Sequence, residues 1–177
     1  MIMTDSKSIT LPLTEEVVKT LRAGEHILLS GIVYTARDAA HKRIVEAIEN
    51  GEELPFELKN ATIYYTGPAP APPGRPIGSA GPTTSYRMDP YTEQLLKAGV
   101  RGMIGKGERG TDVALLLQKY RAVYFAAVGG AGALLSERII ACEIVAYEDL
   151  GTESVHKLRF EEFPVIVAQD IFGGNVY

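Results

Sequence analysis

The sequence is poor in the residues that hold metals and disulfides. Its 177 residues include one cysteine, Cys142, and three scattered histidines, His26, His41 and His156. A single thiol forms no internal disulfide, and it does not by itself bind an iron–sulfur cluster or a structural zinc. The histidines show no paired ligand spacing. Any metal chemistry is therefore expected to come from another chain.

Other absences narrow the classes of function. The formal net charge is −4, so the totals do not favour a nucleic-acid partner. No stretch approaches the roughly 20 consecutive apolar residues of a membrane span, and the first residues lack the charged start and apolar run of a signal peptide. We expect a cytoplasmic protein whose partners include neither nucleic acid nor a membrane.

The size and balance of the chain are those of a globular domain. Apolar residues make up 46% of the sequence and charged residues 23%, which is enough apolar material for a sizeable core. No internal repeat is visible, and no linker separates a second hydrophobic unit. We expect one domain over residues 1–177.

Strand and helix patterns alternate along the chain. Residues 14–22 predict a short helix with Thr14 at its N-cap, and residues 25–36 predict a strand. A second helix follows, with Asp38 as its expected cap and Asn50-Gly51 as its stop. Further strands are predicted over 60–68, 100–105, 121–128, 141–150 and 155–170, and further helices over 89–99, 111–120 and the segment after Gly129-Gly130. This order predicts an α/β protein with a mainly buried sheet, flanking helices and ligand sites at strand-to-loop ends.

The segment 67–82 has a different composition. It holds six of the ten prolines of the chain, too many for a helix or a central strand. It is also too apolar for a typical flexible linker. We interpret it as an ordered loop laid over a surface; the alternative is a disordered proline-rich insertion.

Three basic residues lie beside turn signals rather than within charged helix faces. They are Arg37, Arg87 and Lys106. An arginine fork pairs with a carboxylate through two hydrogen bonds and a lysine adds a point charge, so the three together would bind a small dianion. His41 lies about one helical turn after Arg37, where both side chains would share a space. The alternative is a solvated first turn of the helix.

The stretch "GPTTSYR", residues 81–87, supplies further polar groups. The backbone N–H groups of Thr83, Thr84 and Ser85 would form an anion-binding concavity after the Gly-Pro corner. A threonine hydroxyl held there would transfer a proton if nearby cations stabilised its alkoxide. The alternative is ordinary turn capping by Ser and Thr. "GKGERG" and "GGAGAL" lack the full nucleotide-binding patterns, so they predict no nucleotide site.

Four stretches together carry a family resemblance. "TARDAAHKR", "GPAPAPPGRPIGSAGPTTSYRMD", "MIGKG" and "VGGAGAL" resemble the β subunit, equivalent to the C-terminal domain, of class I fumarate hydratases. These are iron–sulfur hydro-lyases that also include L-tartrate dehydratase. The resemblance covers nearly the whole chain. Tyr86 departs from it, because related fumarases commonly have a small residue at that position.

The resemblance implies a fold, a cofactor and a partner. The fold would be a swivelling β/β/α domain with a central sheet or partly closed barrel and flanking helices. The [4Fe–4S] cluster would be held by three cysteines of an α subunit, so this chain would provide no metal ligand. Fumarate is the first substrate implied and tartrate the second, in an αβ or α2β2 assembly. A small-anion-binding domain without a partner is the remaining alternative.

The resemblance also implies roles for individual residues. Thr83 resembles the catalytic base of the family, and Arg87 would stabilise its alkoxide. Arg37, Arg87 and Lys106 resemble the groups that hold the substrate carboxylates, with Thr84 beside them. His41 matches the histidine of the family's RDxxH segment and is a candidate catalytic residue.

Overall fold

The computed structural model describes residues 5–127 and 131–177. Within these ranges seven strands form one sheet, and helices lie against it. The strands are β1 (Lys7–Thr10), β2 (His26–Thr35), β3 (Thr62–Tyr64), β4 (Gly102–Gly105), β5 (Val123–Ala126), β6 (Ile139–Ala146) and β7 (Val155–Gln169). The α-helices are α1 (Glu15–Val18), α2 (Asp38–Glu49), α3 (Asp89–Lys97), α4 (Thr111–Tyr120) and α5 (Gly132–Ser136), with 3₁₀ helices at Ser85–Met88 and Glu148–Glu153.

Five of the strands close into a barrel. The sheet order is β1-β2-β3-β4-β5-β7-β6, and β2 also pairs with β7. Strands β2 to β5 are parallel to one another, whereas β7 runs antiparallel to both β5 and β2. β1 and β6 extend the sheet outside the ring. The predicted α/β class with a barrel and flanking helices is thus confirmed, and the barrel is closed.

Alternate residues of the parallel strands face two separate cores. Tyr64 of β3 packs with the aromatic rings of Phe160 and Phe163, which stack on each other at 3.9 Å between centroids. The neighbours of Tyr64, Ile63 and Tyr65, join the second core, between the barrel and the helices. Burial on both faces explains why these strands read as continuous apolar runs instead of alternating ones.

The ends of several elements differ from the predictions. α1 is shorter than residues 14–22, although the Thr14 hydroxyl does accept the Val17 N–H as an N-cap should. β1 was not predicted, because a four-residue edge strand carries little pattern. The predicted cap Asp38 is wrong: the N-cap of α2 is Arg37, without a side-chain cap bond, and Asp38 is the first helical residue. Its carboxylate pairs instead with Arg87, which lies in the 3₁₀ helix Ser85–Met88.

The proline-rich segment is an ordered loop, as predicted. Its two arms bond to each other through Ala69 N–H to Ser79 O at 2.8 Å. Two side chains of the β3 strand end hold its far arm: the Tyr64 hydroxyl donates to Ala80 O at 2.5 Å, and the Thr66 hydroxyl donates to Gly81 O at 2.7 Å. The loop therefore returns the chain to the barrel edge just before Thr83.

The carboxyl end of β4 is packed so closely that it requires glycine. A Cβ on Gly105 would lie 1.9 Å from Ser85 Oγ and 2.9 Å from Cδ2 of Tyr65. Ser85 is fully buried and its hydroxyl is bonded to Tyr124, so it cannot move aside without breaking that bond. The absence of a side chain at Gly105 therefore sets how close residue 85 comes to β4.

We predict that Gly105→Ala lowers the free energy of unfolding by about 1–3 kcal/mol, because the added methyl overpacks the Ser85 contact. Urea unfolding measures this change. Gly81→Ala is the control, because a Cβ there would meet its nearest atom at an ordinary 3.4 Å, and no loss is expected. Equal stability of the two variants would contradict the packing argument.

Candidate functional site

The candidate residues lie at the carboxyl edge of the parallel strands. Arg37 comes two residues after β2, Gly67 three residues after β3, and Lys106 directly after β4. Because parallel strands present their carboxyl ends at the same edge, these positions are neighbours in space. Thr83 and Thr84 reach the same edge through the proline-rich loop.

The Thr83–Ser85 segment inserts between the ends of β3 and β4. Thr83 N–H donates to Tyr65 O at 2.6 Å, and Ser85 N–H donates to Lys106 O at 2.9 Å. Lys106 N–H donates to Thr83 O at 3.3 Å, and Thr84 forms an isolated parallel bridge with Lys106. The structure thus brings Thr83, Thr84 and Lys106 side by side, with each side chain half-buried.

This pairing corrects one expectation for the site. The amides of Thr83 and Ser85 were expected to bind an anion, but both donate to backbone carbonyls. The expectation was wrong because two strand ends with unsatisfied carbonyls lie within reach, and buried backbone groups pair with each other first. The Thr84 amide donates to no backbone carbonyl among the described residues, so it and the side chains are the groups left for a ligand.

Arg87 forms an ion pair with Asp38. Its Nε donates to Asp38 Oδ1 at 3.1 Å and its Nη2 donates to Asp38 Oδ2, a two-point contact. The two side chains are 39% and 38% exposed, so the pair is accessible to a ligand. Burial raises the pKa of Asp38, but the hydrogen bonds and charge of Arg87 outweigh it, and the pKa lies below its usual range. Asp38 is therefore ionised at neutral pH.

Arg37 packs against the strand end of β3. A Cβ on Gly67 would lie 3.1 Å from both Cδ and Nη1 of Arg37, and 3.1 Å from Thr152 O, so glycine makes room for the guanidinium. Arg37 Nε is buried and has no hydrogen-bond partner among the described residues. An unpaired buried donor is costly. A carboxylate oxygen would satisfy it.

His41 lies beneath the edge rather than on it. The side chain is 1% exposed, with its ring against those of Tyr65 and Tyr91. Nδ1 bonds to Arg37 O at 2.8 Å, and because a carbonyl only accepts, Nδ1 carries the proton. Burial lowers the pKa of His41 to about 4, against the raising effect of that bond, and the charge of Arg109 lowers it further. His41 is thus neutral at pH 7.

Arg109 is a buried cation that the sequence analysis missed. Its guanidinium is fully buried, donating to Asp89 Oδ1 at 2.6 Å and to Thr92 Oγ1 at 2.8 Å. The rings of Tyr65 and Tyr124 lie 5.3 and 4.9 Å from it. An arginine between glycines in "GERG" resembles an exposed turn residue. No local signal distinguishes it, because Lys106 and Glu108 lie closer to β4 and are more exposed.

The Tyr124 hydroxyl links the two loops of the site. It lies 2.7 Å from both Ser85 Oγ and Gly107 O. The hydroxyl has one proton and a carbonyl only accepts, so Tyr124 donates to Gly107 and accepts from Ser85. In the sequence, Tyr124 looks like an ordinary residue of an apolar strand. It joins the Thr83–Ser85 segment to the turn after Lys106.

The described residues offer no metal site. No group of three or more His, Cys, Asp or Glu side chains among residues 5–127 and 131–177 is placed to hold a metal ion. Cys142 is half-buried on β6. Residues 128–130 of the "VGGAGAL" stretch lie outside the described residues. In the described parts of the chain, no helix is long and apolar enough to cross a bilayer.

A groove of about 540 Å³ runs between the proline-rich loop and β6, and Pro68, Thr152 and His156 are among its lining residues. Thr83 and Lys106 do not line it. The groove begins beside the Arg37 end of the edge, because Arg37 and Thr152 pack against the same residue, Gly67.

We predict that His41 makes stability depend on pH. Its pKa is about 4 in the folded chain and 6.5 in the reference state, so the unfolded chain binds more protons between these values. Stability should therefore fall by about 3 kcal/mol as the pH drops from 6.5 through 4. Unfolding by urea at pH 7, 6, 5 and 4 measures this. His41→Gln should flatten the profile in that window, and parallel profiles for the two proteins would contradict the assignment.

Comparison with known proteins shows which family the chain belongs to. The family model described as the fumarase C-terminus matches residues 2–177. The chain is 39% identical over 151 residues to the anaerobic class I fumarate hydratase of Escherichia coli, covering 84% of this chain and 28% of that protein. It is 37% identical over 156 residues to fumarate hydratase 2 of Leishmania major, covering 87% of this chain and 28% of that protein. The chain thus spans 28% of the length of these enzymes.

A relative of similar size was also found. The "Putative L(+)-tartrate dehydratase subunit beta" of Methanocaldococcus jannaschii is 37% identical over 171 residues, covering 93% of this chain and 88% of that protein. The family model matches nearly the whole chain, and this relative has a similar length. The chain belongs to the fumarase C-terminus family, which includes the C-terminal part of class I fumarate hydratases and chains named as the β subunit of tartrate dehydratase.

Proposed function

We propose that this chain is the β subunit of a two-subunit iron–sulfur hydro-lyase that reversibly hydrates fumarate to L-malate. One observation carries the proposal: the Thr83–Ser85 segment is paired between the ends of β3 and β4, which places Thr83 and Thr84 beside Lys106. Arg87 follows directly, and its partner Asp38 adjoins Arg37. These are the residues that the family resemblance also indicates.

The charges at this edge suit a dicarboxylate. Hydration of fumarate adds a proton to a carbon next to a carboxylate, and the reverse step removes that weakly acidic proton. Negative charge then builds up on the carboxylate, and fixed cations stabilise it. Arg37, Arg87 and Lys106 are three such cations on one edge of the fold.

Each cation contributes a different contact. Arg37 has a buried Nε without a hydrogen-bond partner among the described residues, and this donor would bind a carboxylate oxygen once a small shift of the guanidinium uncovers it. Arg87 is held in place by Asp38 and presents the remaining donors of its guanidinium fork. Lys106 provides a mobile point charge beside Thr84. Together they would hold the two carboxylates and orient the carbon between them toward the threonines.

We assign proton transfer to Thr83. Its hydroxyl is half-buried at the edge, whereas the His41 ring is 1% exposed. A free hydroxyl is a very poor base, so the alkoxide of Thr83 depends on the positive charge of Arg87 for its stability. His41 would support the site from below by holding the Arg37 carbonyl at the start of α2.

The residues of this chain do not fit a [4Fe–4S] cluster. Such clusters are held by several thiolates, and the chain has one cysteine. We therefore propose that an α subunit carries the cluster, in an αβ or α2β2 assembly in the cytoplasm. This chain binds and orients the substrate and moves the proton.

L-tartrate is the second candidate substrate. The similarity to a chain named as a tartrate dehydratase β subunit extends over 88% of that chain, so this β-subunit format is not confined to fumarate hydratases. Tartrate is also a four-carbon dicarboxylate and needs the same cations. The ratio of kcat/KM for the two substrates distinguishes the candidates.

The proposal is tested by measuring fumarate hydration anaerobically. The chain is assayed alone and after mixing with a reconstituted cluster-bearing α subunit from the same source. We expect activity in the mixture only. No turnover of fumarate or tartrate, despite a verified cluster and a formed complex, would refute the hydro-lyase assignment.

Substitutions separate the proposed roles in the assembled enzyme. Thr83→Ala should lower kcat by about 10²- to 10⁴-fold, the usual contribution of a general base, and Thr83→Ser should recover part of the loss. Lys106→Ala should mainly raise KM, because it removes a charge that pairs with the carboxylate before and during reaction. Steady-state kinetics with fumarate measure both effects.

Arg43→Ala is the matched control. Arg43 lies on α2 near Arg37, but it forms an exposed ion pair with Asp149. Exposed pairs contribute little, so turnover should stay within about 2-fold of the unmodified enzyme. A Thr83→Ala enzyme as active as Arg43→Ala would refute the role of Thr83.

A further inference from the structure

Two tyrosines hold the peptide groups of the residue after Lys106. The Tyr124 hydroxyl donates to Gly107 O at 2.7 Å, and Gly107 N–H donates to the Tyr177 hydroxyl at 3.1 Å. Tyr124 is buried in the barrel wall, whereas Tyr177 is 50% exposed. One of the two hydroxyls therefore belongs to a half-exposed side chain next to the turn after Lys106.

The segment before Tyr177 is held by a dense set of hydrogen bonds. The Asp170 carboxylate is 4% exposed and accepts the N–H groups of Ala23, Phe172 and Gly174 at 2.8–2.9 Å. The chain then turns back on itself. The backbone therefore leaves this turn in a defined direction.

The last residues continue along β7. Val176 N–H donates to Ala168 O at 3.0 Å, and Tyr177 N–H donates to Asn175 Oδ1 at 3.0 Å. Gln169 and Asn175 form an antiparallel bridge. Tyr177 is thus brought to Gly107 by an ordered turn and not by a loose tail.

The direction of the Gly107 bond determines what Tyr177 has left to offer. A backbone N–H only donates, so the Tyr177 oxygen acts as the acceptor and keeps its own proton for another partner. That proton belongs to a half-exposed hydroxyl next to the turn that presents Lys106. A carboxylate that pairs with Lys106 would be a suitable acceptor for this proton, because a hydrogen bond to an ionised oxygen is stronger than one to a neutral oxygen.

We propose that Tyr177 is a further substrate-binding residue, whose hydroxyl donates to the same substrate carboxylate that pairs with Lys106. This inference rests on the proposed function. A neutral hydroxyl adds a directional bond without adding charge, so it contributes orientation where Lys106 contributes attraction. We place this bond on the carboxylate that is not next to the carbon exchanging the proton. Its charge is the same in bound substrate and transition state, so the bond acts equally on both.

The test is Tyr177→Phe in the assembled enzyme with fumarate. Loss of a hydrogen bond to a charged group corresponds to a rise in KM of about 10- to 100-fold, with kcat within about 3-fold of the unmodified enzyme. The thermal midpoint should stay within about 2 °C, because the ring and the turn before it remain. A purely structural role would instead lower kcat or the midpoint.

Two further variants provide a control for the removed hydroxyl and a test of the shared carboxylate. Tyr86→Phe removes the same atom from another exposed tyrosine of the site region, and its KM should be unchanged. In Tyr177→Phe combined with Lys106→Ala, the rise in KM should be smaller than the product of the single effects, since both residues hold one carboxylate.

The outcomes are distinguishable. An active unmodified enzyme with unchanged KM in Tyr177→Phe, or with a loss confined to kcat, overturns the role of Tyr177 and leaves the proposed function standing. Multiplicative effects in the double variant overturn the shared carboxylate. An unmodified enzyme that turns over neither fumarate nor tartrate overturns the proposed function, and this inference with it.

Discussion

The structure of the site depends on the insertion of residues 83–85 between the ends of β3 and β4. The bonds from Thr83 to Tyr65 and from Ser85 to Lys106 continue the barrel by one short strand. The insertion is possible because Gly105 has no side chain where Ser85 sits. It places Thr83 and Thr84 beside Lys106. The amides of Thr83, Ser85 and Lys106 are used in backbone hydrogen bonds. In the proposed function, an anion at this edge would therefore be bound mainly by side-chain charges and hydroxyl groups, with the Thr84 amide beside them.

A polar layer lies beneath this edge, between the barrel wall and the helices. It contains Arg109 with its partner Asp89, the hydroxyl of Tyr124 and the neutral ring of His41. Each of these groups is tied to a loop or a helix start of the site. A buried ion pair of this kind adds little net stability, but breaking it is costly. The layer therefore favours one arrangement of the loops above it and disfavours others.

Much of the fold follows from local patterns, and much of the site does not. The apolar runs around Tyr64 and Ile104 indicate strands buried on both faces, and the three cations were selected from their places beside turns. Barrel closure was not derivable from the residues, because β2 and β7 pair across more than a hundred residues of sequence and no short-range pattern encodes such a contact. A separation of 49 residues likewise hides the pairing of Asp38 with Arg87, so a carboxylate at a helix start looked like a cap. Arg109 and Tyr177 were missed for a related reason: their roles come from what surrounds them.

The pairing of Asp38 with Arg87 has a consequence for selectivity. Asp38 is an internal rival for the guanidinium, present at a high effective concentration because the same fold holds both groups. A monovalent anion from solution would have to compete with Asp38 for Arg87. The charge of Arg87 is already partly neutralised by Asp38, so the free energy of binding such an anion would be small. In the proposed function, a ligand with a second carboxylate would also engage Arg37 or Lys106, and that second contact would let it remain bound beside Asp38. The edge would thus discriminate by the number of charges on the ligand rather than by the strength of any one of them.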